Sequence, residues 1–248
     1  MMMAGYRFHL WKGGHQMNLI HKITLPKQAT GLLLLLLSAD VFYISLHLIS
    51  KVTRFFDLGS TIRKETFMLT KDLGLAESFQ YVKEFWIVLL LAWLIYKNRN
   101  LNLLGWALLY AFLLSDDMFS FHEGLAGSAL GLLGLSAERI LFLDVRYQDL
   151  GELGVALIFG LIFLIPIGVA YLRGNPETRR TFHTLTGCLL LLLLFGIVGD
   201  FFDRFFPPDI YKFMFELSDI LEDGGEMVAM SITCWYVYTL AGPPTASA

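Results

Sequence analysis

Charge is scarce in this sequence: Asp, Glu, Lys and Arg make up 17% of it, where soluble domains carry about 25%. Cysteine is scarcer still. Cys188 and Cys234 both fall inside apolar runs, which fits buried free thiols and excludes a disulfide framework. A net charge of -3 leaves no basic patch suited to nucleic acid. The stretch from Met1 to Thr24 lacks both a long apolar run and a small-residue cleavage site, so it does not read as a cleavable signal peptide. Also missing are the histidine boxes of membrane desaturases, the terminal His-x3-His pair of alkaline ceramidases, a Gly-x-Ser-x-Gly elbow, a Walker-type loop and the Asp-rich prenyltransferase signature. No tandem repeat is present.

What is abundant is apolar length. Hydrophobic residues make up 56% of the chain, and the mean hydropathy is +0.59. Windows able to cross about 30 Å of hydrocarbon run from Ala29 to Ser50, Tyr81 to Tyr96, Leu101 to His122, Gly151 to Leu172, Thr181 to Phe202 and Gly224 to Ala241. The expected fold is therefore all-α: a polytopic membrane bundle of about six transmembrane helices. Residues 1–28 form a cytoplasmic lead-in, 29–241 a single bundle domain and 242–248 a short tail. The second window is short and needs Phe79 or Lys83 to snorkel at its end. The Gly-rich stretch from Gly127 to Leu143 belongs in or near the interface, or forms a re-entrant piece. Asp209 to Asp223 reads as a short amphipathic interfacial helix with Ile210, Phe213, Met214, Leu217 and Leu221 on its apolar side. Gly154, Gly160, Gly168 and Gly196 are expected to pack helices closely.

Direction follows from the basic residues. Lys97, Arg99, Arg173, Arg179 and Arg180 sit in two tight connections that hold one acid, Glu177, so those loops are expected on the cytoplasmic side. An even number of passages then puts both termini inside, in a bacterial inner membrane.

The opposite side collects the acids. Asp116, Asp117, His122 and Glu123 close the third span; Asp144, Asp149 and Glu152 lead into the fourth; Asp200 and Asp203 close the fifth. Glu216, Asp219, Glu222, Asp223 and Glu226 approach the sixth, and Glu84 opens the second. Carboxylates at a helix N-terminus complement its dipole, which accounts for Asp219 and Asp223. At a helix C-terminus they do not, so Asp116, Asp117, Glu123, Asp200 and Asp203 require a partner charge, a polar cavity or a bound cation. On a continuous helix Asp116 and Glu123 fall within about 20° of each other, and Glu222 and Glu226 form an i, i+4 pair. Asp116, Asp117, His122, Glu123, Asp200, Glu222 and Glu226 are thus the candidate ligands of a divalent cation. Oxygen donors favour Mg, Ca or Mn, and the histidine admits Zn or Fe. Alternatively, His122 pairs with a carboxylate.

Two segments carry a resemblance. Asp116-Asp117-Met118-Phe119-Ser120-Phe121-His122-Glu123 and Glu222-Asp223-Gly224-Gly225-Glu226-Met227 resemble the Asp-Glu-x4-His-Glu and Glu-Glu-x2-Glu-Met segments of a family of uncharacterised bacterial multi-pass membrane proteins. Asp117 and Asp223 stand where that pattern has Glu, shortening each side chain by one methylene. The resemblance implies the topology and the acidic site, and supplies no reaction.

Three functions stay open on these residues. One is a cation site serving membrane-embedded hydrolysis, with the lipid bilayer supplying the substrate and a spare carboxylate acting as base. Another is an ion or proton pathway, discouraged by spans whose cytoplasmic halves are polar only at Asp40, His47 and His183. The third is an accessory protein, with or without a protein partner, whose acids fix the helix arrangement. Oligomeric state is left open.

Overall fold

Local chemistry sets the element boundaries. The computed structural model describes residues 27–56, 65–138, 140–142, 145–205 and 217–242. Helix α1 (Lys27–Phe55) carries the leucine run and has Arg54 in its last turn, where a positive charge suits the carbonyl end of the helix. After it, α2 (Leu75–Asn98) begins behind Gly74 and stops where Arg99 turns left-handed. Asn100 then accepts from the Asn102 amide at 3.1 Å, starting a turn that runs into α3 (Leu104–Phe119). Ser120 adopts φ 47° and ψ 45°, and the chain leaves in a new direction as α4 (Phe121–Leu132). A short hairpin of β1 (Ile140–Phe142) and β2 (Val145–Arg146) leads into α5 (Tyr147–Arg173). Next, α6 (Pro176–Phe205) opens with Pro176 in its first turn, where a missing amide costs nothing, and the Asn175 side chain accepts from the Thr178 amide at 2.8 Å. A π-helical turn over Ile220–Gly224 introduces α7 (Gly225–Ala241).

Among the described residues, three helices are long and apolar enough to cross a membrane: residues 28–55, α2 and α5. The pair 101–119 and 121–132, bent by 74°, makes a fourth if it counts as one span. The expected third span is thus not one straight helix. Helices do occupy the fifth and sixth expected positions, as α6 and α7. The Gly-rich interfacial stretch is split between α4, which packs on α5, and the hairpin. Most of the expected amphipathic helix, residues 209–216, lies outside the described residues, as do 1–26 and 243–248 of the expected lead-in and tail.

The core lies where α2 meets α3 and α7, with α1 and α6 closing on α7. Trp106 stacks on Tyr110 and meets Phe182 edge-on, among Ile87, Leu91 and Val237. By contrast, only 6% of the apolar window of α5 is buried, against 33% for α2, so α5 is peripheral. The glycines divide in the same way. Gly154, Gly160 and Gly168 have nothing near them, contrary to expectation, whereas Gly225 lies flat against the Phe195 ring and leaves no room for a Cβ.

One polar cluster crosses this core. Lys83 is fully buried and does not snorkel, because α2 starts two turns before its apolar window and carries the residue below the helix end. Its Nζ donates to Asp40 Oδ1 at 3.0 Å, the Met227 carbonyl at 2.7 Å and Ser231 Oγ at 3.3 Å. Ser231 in turn donates to Asp40 Oδ2 at 2.5 Å. The Phe79 ring lies 5.0 Å from the ammonium. The network ties α1, α2 and α7 together.

Removing one charge from this pair strands the other. Asp40→Leu or Lys83→Met alone should destabilise the protein by about 3–5 kcal/mol, and the double variant should recover most of that loss. Thermal and denaturant unfolding in detergent measure both effects. Additive losses would show that the two charges do not stabilise each other.

Candidate functional site

The acids meet at one end of this core. A cavity of about 530 Å³ lies between the 65–74 connection, the N-terminal part of α2, the α3–α4 break and the start of α7. The connection is anchored to α1 by His47, whose Nδ1 accepts the Leu69 amide at 3.0 Å. It turns through Leu73 at φ 57°, and the Leu73 amide donates to the Glu77 carboxylate. Lys71, Asp72 and Leu73 form an exposed rim, while Leu69, Ala76 and Met227 form buried wall.

The α3–α4 break answers the question raised by an acid at a helix C-terminus. Asp116 Oδ1 accepts the His122 amide at 2.8 Å, and Oδ2 contacts His122 Nδ1 at 2.9 Å. The carboxylate therefore sits at the N-terminus of the next helix, where the dipole favours it. His122 thus pairs with a carboxylate, the second of its two expected roles. Asp116 and Glu123 no longer share one helix face, since the 74° bend separates them, but both still line the cavity.

Asp117 faces the same space, and its carbonyl accepts from the Tyr81 hydroxyl at 2.9 Å. From α7 comes Glu226, which hydrogen-bonds Gln80. One Glu226 oxygen lies so near Gly196 of α6 that a Cβ there would stand 2.8 Å from it. Glu222 does not line the cavity. The π turn breaks the i, i+4 relation and brings Asp223 to the wall in its place. Asp200 lies in α6, and its side chain is outside the described residues. Of the seven expected ligands, Asp116, Asp117, His122, Glu123 and Glu226 are brought to one cavity.

Beneath them is Glu84, fully buried, whose carboxyl meets the Asp117 carboxyl and, among the described residues, no N–H donor. The groups beside it are Asp117 and Glu226, acids like itself. Lys83, its chain neighbour, is turned to Asp40. Glu84 was expected merely to open a span. The signal for its depth, and for the Lys83 network, lies in the apolar windows: Lys83 is the only Lys or Arg within any of the six, and Asp40 sits in the middle of the first. Two opposite charges inside apolar runs call for each other.

Among the described residues the lining carries seven acids and one lysine, an excess that favours positive over negative charge there. Among the described residues, however, no three His, Cys, Asp or Glu side chains are gathered closely enough to hold a metal ion.

The chain belongs to the family described as domain of unknown function DUF8692, whose model matches residues 29–241. No curated protein and no solved structure matches it.

The cap formed by Asp116 yields a direct test. Asp116→Ala should cost about 1–2 kcal/mol of stability, whereas Asp116→Asn, which keeps an oxygen acceptor for the His122 amide, should cost less. Denaturant titration in detergent distinguishes them. Equal losses would mean that the carboxamide oxygen cannot replace the carboxylate as a cap.

Proposed function

We propose that this family member is a six-span membrane protein that binds a cation in its acid-lined cavity, with Glu84, Asp117 and Glu226 holding the charge. The observation that carries this reading is Glu84: a buried carboxyl just behind the cavity wall whose hydrogen-bonding neighbour is another acid, Asp117, with Glu226 beside them. Isolated negative charge at such depth is unstable unless a positive partner arrives. The three groups come from α2, α3 and α7, so a bound cation bridges three helices.

The finer topology belongs to the same proposal. The spans are α1, α2, the bent α3–α4 pair, α5, α6 and α7, with both termini in the cytoplasm of a bacterium and the cavity on the far side of the inner membrane. Supporting it are Lys97 at the end of α2 with Arg99 after it, and Arg173 at the end of α5 with Arg179 and Arg180 in the first turns of α6, all at the end opposite the cavity.

One contact favours a second reading, metal-dependent hydrolysis of a lipid by Mg, Ca, Mn or Zn. Asp116 holds His122 Nδ1, which is how carboxylates orient a histidine whose Nε2 serves as ligand or base. A metal would then have to draw His122, Asp117 and Glu226 closer together.

The first reading predicts saturable cation binding by the purified chain in detergent. Across Mg, Mn and a polyamine, at least one should bind, and the Asp117→Asn, Glu226→Gln double variant should bind it about tenfold or more weakly. Calorimetry gives the affinities, and an unchanged elution volume shows that the variant is folded. Full affinity in the double variant would place the cation elsewhere.

A further inference from the structure

We propose that the ligand of this cavity is a protonated primary amine on an organic body, a proposal that rests on the cation-binding reading and names its chemical class. Size is the first argument. The cavity holds about 530 Å³, within the range of about 300–1,000 Å³ typical of pockets for organic molecules and far above the share of about 30 Å³ taken by one water. A bare divalent ion instead needs several oxygens at about 2.0–2.6 Å simultaneously. The described carboxylates are not grouped that way.

The second argument is donor count. An ammonium group presents three N–H donors and no acceptor. Asp117 of α3 and Glu226 of α7 line the cavity with carboxyl oxygens, and Glu84 of α2 lies buried behind them with Asp117, an acid, as its hydrogen-bonding neighbour. The same bundle already holds one such group. One residue before Glu84, the Lys83 ammonium is fully buried on three oxygens, Asp40 Oδ1, the Met227 carbonyl and Ser231 Oγ. An incoming amine at Asp117 and Glu226, with Glu84 behind them, would be held on oxygens much as Lys83 is held by its own chain.

The third argument is the wall. Leu69, Ala76 and Met227 offer apolar surface for a carbon body, and Tyr81 and Phe119 add aromatic side chains to the lining. A soluble polyamine and an ethanolamine lipid headgroup share this ammonium chemistry.

The full chain in lipid-free detergent micelles separates these cases by calorimetry. The probes are spermidine, phosphatidylethanolamine doped into the micelle, the trimethylated phosphatidylcholine counterpart, Mg and Mn. Spermidine or phosphatidylethanolamine should bind, and whichever does identifies a soluble or a lipid source. Removing the N–H donors in phosphatidylcholine should weaken lipid binding about tenfold or more, and Glu84→Gln should weaken the amine similarly. Gly160→Ala, on an open face of α5, should change neither. Binding of Mg or Mn without either amine would overturn the amine assignment and leave the cation reading standing. Equal binding of the trimethylated lipid would overturn the role of the N–H donors. If none of the probes binds the folded wild type, both readings fail together. The headgroup comparison uses unaltered protein, so it decides the matter even if Glu84→Gln does not fold.

Discussion

The Lys83 ammonium is fully buried, so its three protons determine where the neighbouring helices can lie. Asp40 on α1 must come within 3.0 Å, and the Met227 carbonyl on α7 within 2.7 Å. Ser231 closes the ring by donating to the other Asp40 oxygen. Apolar packing in a lipid environment is weakly directional, since lipid tails compete equally well for leucine surfaces. A buried ion pair is directional, because any other register leaves a charge stranded. Such a pair adds little net stability and much positional selectivity, and here it sets the rotation of α2. Once Lys83 points toward α1 and α7, its chain neighbour Glu84 must point about 100° away, toward α3 and the acids.

The break between α3 and α4 follows from the same economy of buried charge. A straight helix through Ser120 would leave Asp116 at a carbonyl-rich end, where the dipole repels it. Turning the chain at Ser120 offers Asp116 the first amides of a new helix and the ring of His122 instead. The left-handed residue costs about 1 kcal/mol, which one charged hydrogen bond offsets. The bend also moves Glu123 to the rim and leaves Asp117 facing inward, so the cavity owes its shape to a capping interaction.

Much of this was legible in the residues, and the misreadings have physical causes. Helix positions followed from apolar length. That the acids gather at one end followed from alternating spans, and Asp116, Asp117, His122, Glu123 and Glu226 do line one cavity. The depth of Lys83 was misread because Glu77 and Gln80 keep the first turns of α2 out of any apolar window, although they are helical. The bend at Ser120 had no glycine or proline to announce it. Nor does a π turn have a composition of its own, so Glu222 was placed on the cavity side where Asp223 stands instead. Gly224 and Gly225, which as a glycine pair fit either a hinge or a close approach of helices, lie close against Ile44 and Phe195.

The arrangement leaves an imbalance of charge that points to what the cavity is for. Lys83 is fully engaged by Asp40 and two neutral oxygens, so it has no donor left for Glu84. Glu84, Asp117 and Glu226 therefore share one neighbourhood in which, among the described residues, no Lys or Arg donates to them, and their mutual repulsion works against the packing of α2, α3 and α7. A hydrogen bond between Glu84 and Asp117 requires a proton on one of them, which removes part of the repulsion and leaves Glu226 to be balanced. A purely structural cluster would be relieved by replacing one acid with an amide at no functional loss. A binding site must keep all three, because the repulsion among them is what makes an arriving positive charge favourable there.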